Sequence, residues 1–397
     1  ENVEEAAALL PAHGVPFNRD GWQHILDVHG GYLPLEIEAV PEGTVLPVSN
    51  VLVQVRNTDP ECYWLTSYAE TSLLRAVWYP TTVATRSFAC RRTIAAALEK
   101  TADSSEGLEF KLHDFGARGA SSLETAAIGA AAHLLNFRGT DTLSGILALR
   151  EFYGAEMPAF SIPAAEHSTI TCWGRDREAE AYGNMIAQFG GQGRVVAVVS
   201  DSYDLFRAID ELWGRQLRDR VVASGGTLVI RPDSGDPVTI VCESLERLMA
   251  RFGHRVNSKG YRVLPNYVRL IQGDGVSPAA IARILDALAA RGLSAENIAF
   301  GMGGELLQNV NRDTLKFAMK ASAIEIGGHW SDVYKDPVTD TGKRSKRGRL
   351  ALVRDPWRTV RAESAGSGDN ALRVVYRDGR LLVDESFETI RARVHPA

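Results

Sequence analysis

A chain of 397 residues, 45% hydrophobic and 23% charged, has the composition of a folded globular protein and the length for two domains or one large barrel with an appendage. Its formal net charge of −5 argues against a general nucleic-acid or membrane-surface binder, and it contains no apolar run long enough to span a bilayer. Cys62, Cys90, Cys172 and Cys242 lie far apart with no C-x-x-C pair, which excludes a zinc knuckle and disfavours a disulfide framework. The acidic, helix-prone residues 1–8 are unlike a secretory signal, so a reducing cytoplasm is the expected compartment.

The first 30 residues suggest two helices separated by Gly14-Val15-Pro16. Residues 35–40 and 51–55, parted by a Pro41-Glu42-Gly43 turn, alternate like half-solvated antiparallel strands. Residues 63–100 are helical, with a break expected near Tyr79-Pro80. From Leu108 short apolar runs end in polar or glycine-rich turns, and helical stretches separate them. One such helix starts at Ser277-Pro278, continues through Ile281, Ile284, Leu285 and Leu288, and stops before Gly292. Strand, polar turn, helix, repeated, predicts a parallel α/β architecture, and a β/α barrel is favoured because no crossover carries G-x-G-x-x-G. Beyond Gly327 come a basic stretch and further strands, with Asp378-Gly379 as a hairpin turn. The expected division is 1–106, a catalytic barrel at 107–326, and 327–397, whose hairpins join the early strands in a second, β-rich domain built from both chain ends.

In a parallel barrel the turns after the strands gather on one rim, where ligands bind. The densest cluster is Ser161-Ile162-Pro163-Ala164-Ala165-Glu166-His167-Ser168-Thr169. His167 suits proton transfer, or is a core histidine bonded to a neighbour. Arg231-Pro232-Asp233-Ser234-Gly235 places a guanidinium and a carboxylate at a strand end, fit for a phosphate or flat ring and for a sugar hydroxyl or magnesium; an ordinary Asx turn is the plainer reading. Gly273-Asp274-Gly275 and Gly303-Gly304 let backbone approach a ligand, although turns need glycine anyway. In Ser200-Asp201-Ser202, Asp201 can orient His167 or help bind a metal, while Ser202 or Asp204 can cap a helix. Phe115, near Arg118, is a platform for a heterocycle or simply core, and Asp141 is a lone acid or a helix cap. The basic run from Lys343 is a solvated loop or captures a phosphorylated substrate. Together these features point to a phosphorylated sugar with a flat partner.

Lys111-Leu112-His113-Asp114-Phe115-Gly116, Gly139-Thr140-Asp141-Thr142, residues 161–169, 199–204, 230–235, 272–275, 297–301 and 343–350, with Asn57-Thr58-Asp59-Pro60-Glu61-Cys62-Tyr63-Trp64-Leu65, together resemble the nicotinamide phosphoribosyltransferases over essentially the whole chain. The resemblance implies a type II phosphoribosyltransferase fold, which makes the parallel β/α barrel an irregular one, and a homodimer with active sites shared at the subunit interface. It implies formation of nicotinamide mononucleotide and pyrophosphate from nicotinamide and phosphoribosyl pyrophosphate in NAD salvage, with magnesium, and with ATP hydrolysis coupled through a phosphohistidine. Which protein groups touch the metal stays open. By resemblance His167 is the phosphorylated histidine, with Glu166 and Asp201 orienting it. Phe115 stacks on the nicotinamide ring, Arg231 packs near it, and Asp141 lies beside the carboxamide, with Ser161 also substrate-binding. Asp233 binds the ribose, and Gly273, Asp274, Gly303 and Gly304 form the ribose and phosphate cradle. Arg118, Arg312, Lys320, Lys335 and Lys343 are phosphate-binding cations, some supplied by the partner subunit.

The family also has a segment ahead of the region matched by Glu1, with a tyrosine that covers the other ring face in the partner's site. Ala117 and Glu305 depart from the family pattern, and Glu305 adds an acid beside the expected phosphate cradle. The rival readings are a nicotinate phosphoribosyltransferase, against which Asp141 argues by repelling a substrate carboxylate, and a non-catalytic relative that binds or signals.

Overall fold

The structure, a computed structural model, describes residues 1–339, 344–366 and 368–396. Two compact units divide it: Glu1–Trp78 with Arg312–Ala397, and Tyr79–Asn311.

The second unit holds seven parallel strands. In chain order they are β1 (Leu112–Asp114), β2 (Gly139–Thr140), β3 (Ala164–Ala165), β4 (Val195–Val199), β5 (Thr227–Arg231), β6 (Val268–Gln272) and β7 (Ile298–Met302). Their order across the sheet is β2-β1-β7-β6-β5-β4-β3, so the last strand returns to the first, and of the chain neighbours β2 and β3 alone stand apart, at the two edges. One segment joins the two edges. Phe160 pairs with β2, its N–H donating to Arg138 O at 2.8 Å and its carbonyl accepting from Thr140 N at 3.1 Å. Three residues on, Pro163 O accepts from Ala197 N of β4 at 2.9 Å. The parallel barrel expected from the strand–turn–helix rhythm is therefore present, irregular because β2 and β3 are only two residues long.

Val195–Val199 and Thr227–Arg231 are apolar nearly throughout because parallel strands are covered on both faces. Ala197, Val229 and Ile271 form one buried cluster, against which Phe115 and Ile162 pack. Helices complete the unit. Pro278–Ala290 buries Ala280, Ile281, Ile284, Leu285 and Leu288, a stripe of helical period, with Ser277 accepting from Ala280 N at 3.1 Å and Pro278 in the first turn. Each large apolar side chain buried there contributes about 1.5–3 kcal/mol before entropy is counted.

The helix Leu65–Thr101 runs on through Pro80 without the expected break. Proline removes only one donor, and the next turns are held by the barrel unit: Tyr79 Oη donates to Leu307 O at 2.7 Å, and Asn136 Nδ2 to Ala84 O at 3.0 Å. Residues 79–106 consequently belong with the barrel, and residues 312–326 with the other unit, although the change of sequence rhythm falls at 107 and 327.

In the first unit both chain ends share one antiparallel sheet, ordered Arg380–Leu381, Arg373–Arg377, Leu35–Ala39, Val53–Asn57. The turn between the first two places Asp378 at φ 48° and Gly379 at φ 85°, the left-handed pair of a tight hairpin. Glu36, 3% exposed, is held by Arg56 and Arg377 from the flanking strands. No helix among the described residues is long and apolar enough to cross a membrane.

Candidate active site

The loops after the barrel strands converge on His167. A helix begins at this residue, directly after β3. Its Nδ1 lies 3.1 Å from Ser202 Oγ, while Nε2 stands 3.6 Å from Asp201 Oδ1 and 3.5 Å from Asp233 Oδ2, in contact but beyond hydrogen-bond geometry. Asp201, expected to orient His167, also ties two loops together: its Oδ2 accepts from the Asp233 N–H at 2.8 Å and from Ser234 Oγ at 2.6 Å. Its Oδ1 is buried without a hydrogen-bond partner. Glu166 turns away from the imidazole towards Arg118, 3.8 Å distant, and both side chains are mostly exposed.

Ser200, the residue before Asp201, is held from behind. Trp213, on the π-helical segment Ala208–Gln216, donates from Nε1 to Ser200 Oγ at 3.0 Å and stacks on Tyr182 with ring centroids 4.6 Å apart. A π-helical turn so close to the loop that carries Asp201 fits the usual place of such bulges, near functional sites. The helix after β4 is capped by Asp204, which accepts from Arg207 N at 2.9 Å and leaves Ser202 to the histidine.

Beside this cluster an ion pair meets an aromatic ring. Arg231 grips Asp233 in a two-point pair, Nη2 to Oδ2 at 2.8 Å and Nε to Oδ1 at 3.3 Å, and its guanidinium carbon lies 5.8 Å from the Phe115 ring centroid. The Phe115 ring rests against β7, where a Cβ on Gly301 would lie 1.9 Å from Cε2. A Cβ on Gly273 would come within 2.9 Å of Asp233 Oδ1 and 3.2 Å of Arg231 Nε. Glycine at these two positions lets the backbone sit under the ring and the ion pair. Asp274 is exposed, and its carbonyl accepts from Gln272 Nε2 at 2.7 Å.

Asp141 joins the same group through His113, whose ring centroid lies 5.1 Å from that of Phe115. Its N–H donates to Asp114 O at 2.9 Å, and its Oδ1 takes hydrogen bonds from His113 Nε2 at 2.9 Å and from Ser161 Oγ. Oδ2 receives none from the described residues and remains free to accept. Burial opposes charge on Asp141, but the His113 bond and charge, the Ser161 hydroxyl and the charge of Arg231 outweigh it and hold the carboxyl below its ordinary value. The following helix, Leu143–Tyr153, is flanked by Thr142, so Asp141 is not its cap.

Gly303 and Gly304 lie where Gly304–Leu307 begins, against the turn Ala117–Gly119 that carries Arg118; a Cβ on Gly119 would approach Gly304 Cα to 3.0 Å. Glu305, expected to put negative charge beside this cradle, is neutralised by Arg86 and also accepts from Asn309 Nδ2. Of the remaining expected cations, Arg312 pairs with Asp313 at 2.7 Å and Lys320 with Glu70 at 3.7 Å in the other unit, where Lys335 also belongs. Lys343 lies outside the described residues.

His113, Ser202 and Gly301 are the site residues that sequence reasoning left unassigned. A strand's alternation was the available signal for His113: it sits two residues before Phe115, and the two rings lie 5.1 Å apart.

Residues 110–380 match the model of the nicotinate phosphoribosyltransferase (NAPRTase) family. The chain is 55% identical over 405 aligned residues to a nicotinamide phosphoribosyltransferase of Xanthomonas campestris pv. campestris, covering 100% of this chain and 86% of that protein. It is 33% identical over 396 residues to a nicotinamide phosphoribosyltransferase of Acinetobacter baylyi, covering 94% and 78%. A crystal structure of nicotinate-nucleotide pyrophosphorylase from Pyrococcus furiosus matches with a TM-score of 0.57 at 16% identity, over 93% of this chain and 82% of that one, a likeness of fold alone. Since the family model takes in every barrel strand and the first of these relatives aligns over the whole of this chain, the chain belongs to the NAPRTase family.

Proposed function

We infer that the chain is a nicotinamide phosphoribosyltransferase, a pentosyltransferase that joins nicotinamide to phosphoribosyl pyrophosphate and releases pyrophosphate, serving NAD salvage. The observation that carries this reading is the carboxylate of Asp141, held ionised against His113, the neighbour of the Phe115 ring, with one oxygen free to accept. An amide NH2 donates to that oxygen, whereas a substrate carboxylate meets like charge. The relatives named above carry the same activity in their names.

The reaction breaks the ribose C1–O bond and forms a C1–N bond. The pyridine nitrogen supplies the new electron pair, and pyrophosphate leaves with the old one. Positive charge develops on the ribose, so catalysis rests on alignment and on neutralising the departing phosphates. Phe115 and Arg231 hold the ring flat, Asp233 binds the ribose, and the backbone at Gly273, Gly303 and Gly304 admits ribose and phosphate closely. Arg118, Arg312, Lys320, Lys335 and Lys343 are the proposed phosphate-binding cations, some contributed across a homodimer interface with shared sites.

His167 is the proposed phosphoryl acceptor. With Nδ1–H donating to Ser202, Nε2 carries the lone pair that attacks the γ-phosphorus of ATP; ADP departs, and later hydrolysis of the phosphoryl–nitrogen bond returns the imidazole. A phosphoryl group set between Asp201 and Asp233 needs positive charge. Asp201 Oδ1, buried without a partner, and Asp233 Oδ2 are hard oxygen donors that fit magnesium. When bound, that ion supplies charge neutralisation for phosphate oxygens.

The deciding experiment is a product assay on the protein with nicotinamide and with nicotinate, each with and without ATP. Nicotinamide mononucleotide as the preferred product, with yield raised by ATP, is expected. Preferential use of nicotinate overturns the assignment.

A further inference from the structure

Four metal-ligating side chains converge in the first unit, in a cluster separate from the residues assigned to catalysis. His24 and His29 project from the helix Arg19–His29, and both Nε2 atoms lie 2.7 Å from a single oxygen, Asp59 Oδ2. Asp59 starts the turn Pro60–Cys62, where its Oδ1 accepts from Glu61 N at 2.9 Å and its carbonyl from Cys62 N at 3.0 Å. Cys62, fully buried and unpaired, completes the group, and one ligand atom from each of the four residues lies within 4.8 Å of all the others. The two imidazoles are steeply inclined, 72° between ring planes. Two nitrogens thus approach one carboxylate oxygen from different directions, so that side-chain donors from three residues already lie side by side.

We propose that His24, His29, Asp59 and Cys62 form a zinc site that clamps the helix Arg19–His29 to the turn Pro60–Cys62. Nitrogen, thiolate and carboxylate donors in a set of four suit tetrahedral Zn2+ and suit magnesium poorly. Zinc–ligand bonds of about 2.0–2.3 Å set neighbouring ligand atoms roughly 3.3–3.7 Å apart. The two imidazole–carboxylate separations therefore open by about 0.6–1 Å on binding, within reach of rotamer adjustment. Each imidazole binds as its Nδ1–H tautomer, and the thiol releases one proton as the Zn–S bond forms. The ion's two positive charges then balance one carboxylate and one thiolate, leaving a neutral site where Cys62 is buried in an apolar cluster with Ile25, Leu35 and Leu65. The imidazoles and Asp59 keep some exposure, 31%, 24% and 17% of their side chains, which gives the ion a way in.

The test is a cobalt titration of untagged, chelator-treated full-length protein in excess magnesium. Expected is one Co2+ per chain, with the visible absorption of tetrahedral cobalt and a thiolate-to-cobalt charge-transfer band, both displaced by one equivalent of zinc. The charge-transfer band should vanish in Cys62→Ser, and affinity should fall at least tenfold in His24→Gln and in His29→Gln. Only octahedral cobalt absorption in the wild-type protein overturns the proposal, and so does a tetrahedral spectrum that survives Cys62→Ser and both histidine variants. The wild-type titration needs no variant, and the part-exposed His24 gives a substitution that leaves the buried sulfur in place, so a folding failure of Cys62→Ser does not hide the result.

Discussion

His167 Nε2 stands 3.5 Å from Asp233 Oδ2, and the same carboxylate oxygen accepts from Arg231 Nη2 at 2.8 Å. Asp233 therefore couples the imidazole to the guanidinium beside the Phe115 ring, so the proposed phosphoryl site and the proposed pyridine site share one residue. Asp201 reinforces the link by holding the Asp233 backbone N–H.

His167→Ala removes the phosphoryl acceptor but keeps Asp233 and its two-point pair with Arg231 beside the Phe115 ring. It should abolish the stimulation of nicotinamide mononucleotide formation by ATP while slow transfer without ATP persists. Product formation measured with and without ATP decides it, and undiminished stimulation in the variant refutes the assigned role.

Asp141→Asn keeps the size of the side chain and removes its charge. The preference for nicotinamide over nicotinate, taken as the ratio of kcat/KM values, should fall at least tenfold, about 1.4 kcal/mol or more. An unchanged ratio would place discrimination elsewhere in the site.

Gly301→Ala puts a methyl group where the Phe115 ring lies, 1.9 Å from Cε2, so the ring must leave its place against β7. Overpacking of this kind costs roughly 1–3 kcal/mol. The KM for nicotinamide should rise about tenfold or more while that for phosphoribosyl pyrophosphate moves much less. Initial-rate kinetics with each substrate varied would reveal equal changes if the ring had no binding role.

His133 links stability to pH. It is wholly buried, stacks on Phe137 and has Nδ1 2.9 Å from Ser87 Oγ; burial, only partly offset by the charge of Asp114, drives its pKa down to about 4. Between about 4 and the ordinary 6.5 the unfolded chain binds the extra proton. Stability is accordingly complete above about pH 6.5 and lost as pH falls towards 4, by about 3 kcal/mol over that window. Denaturant unfolding at several pH values should show this slope in the wild-type protein and a flatter one in His133→Gln.

Sequence alone determined the local pieces of this protein. Ser277-Pro278 and the stripe of Ile281, Ile284, Leu285 and Leu288 specify a capped amphipathic helix, and Asp378-Gly379 a tight hairpin, because capping, periodicity and left-handed turns act between residues a few positions apart. The apolar runs ending in polar turns likewise announce parallel strands with functional loops at one rim. Tertiary structure decided which of those loops meet. His167 reaches Ser202 across 35 residues and His113 reaches Asp141 across 28, partners brought together only when β1 pairs with β2 and β3 with β4. Glu166 and Asp201 were both expected beside His167; Asp201 stands 3.6 Å from its Nε2, whereas Glu166, flanking the helix that begins there, lies 3.8 Å from Arg118. Pro80 stayed inside its helix because one lost donor weighs less than the packing that a helix acquires after folding. Strand pairing aligns residues far apart in sequence, and no local propensity encodes which ones.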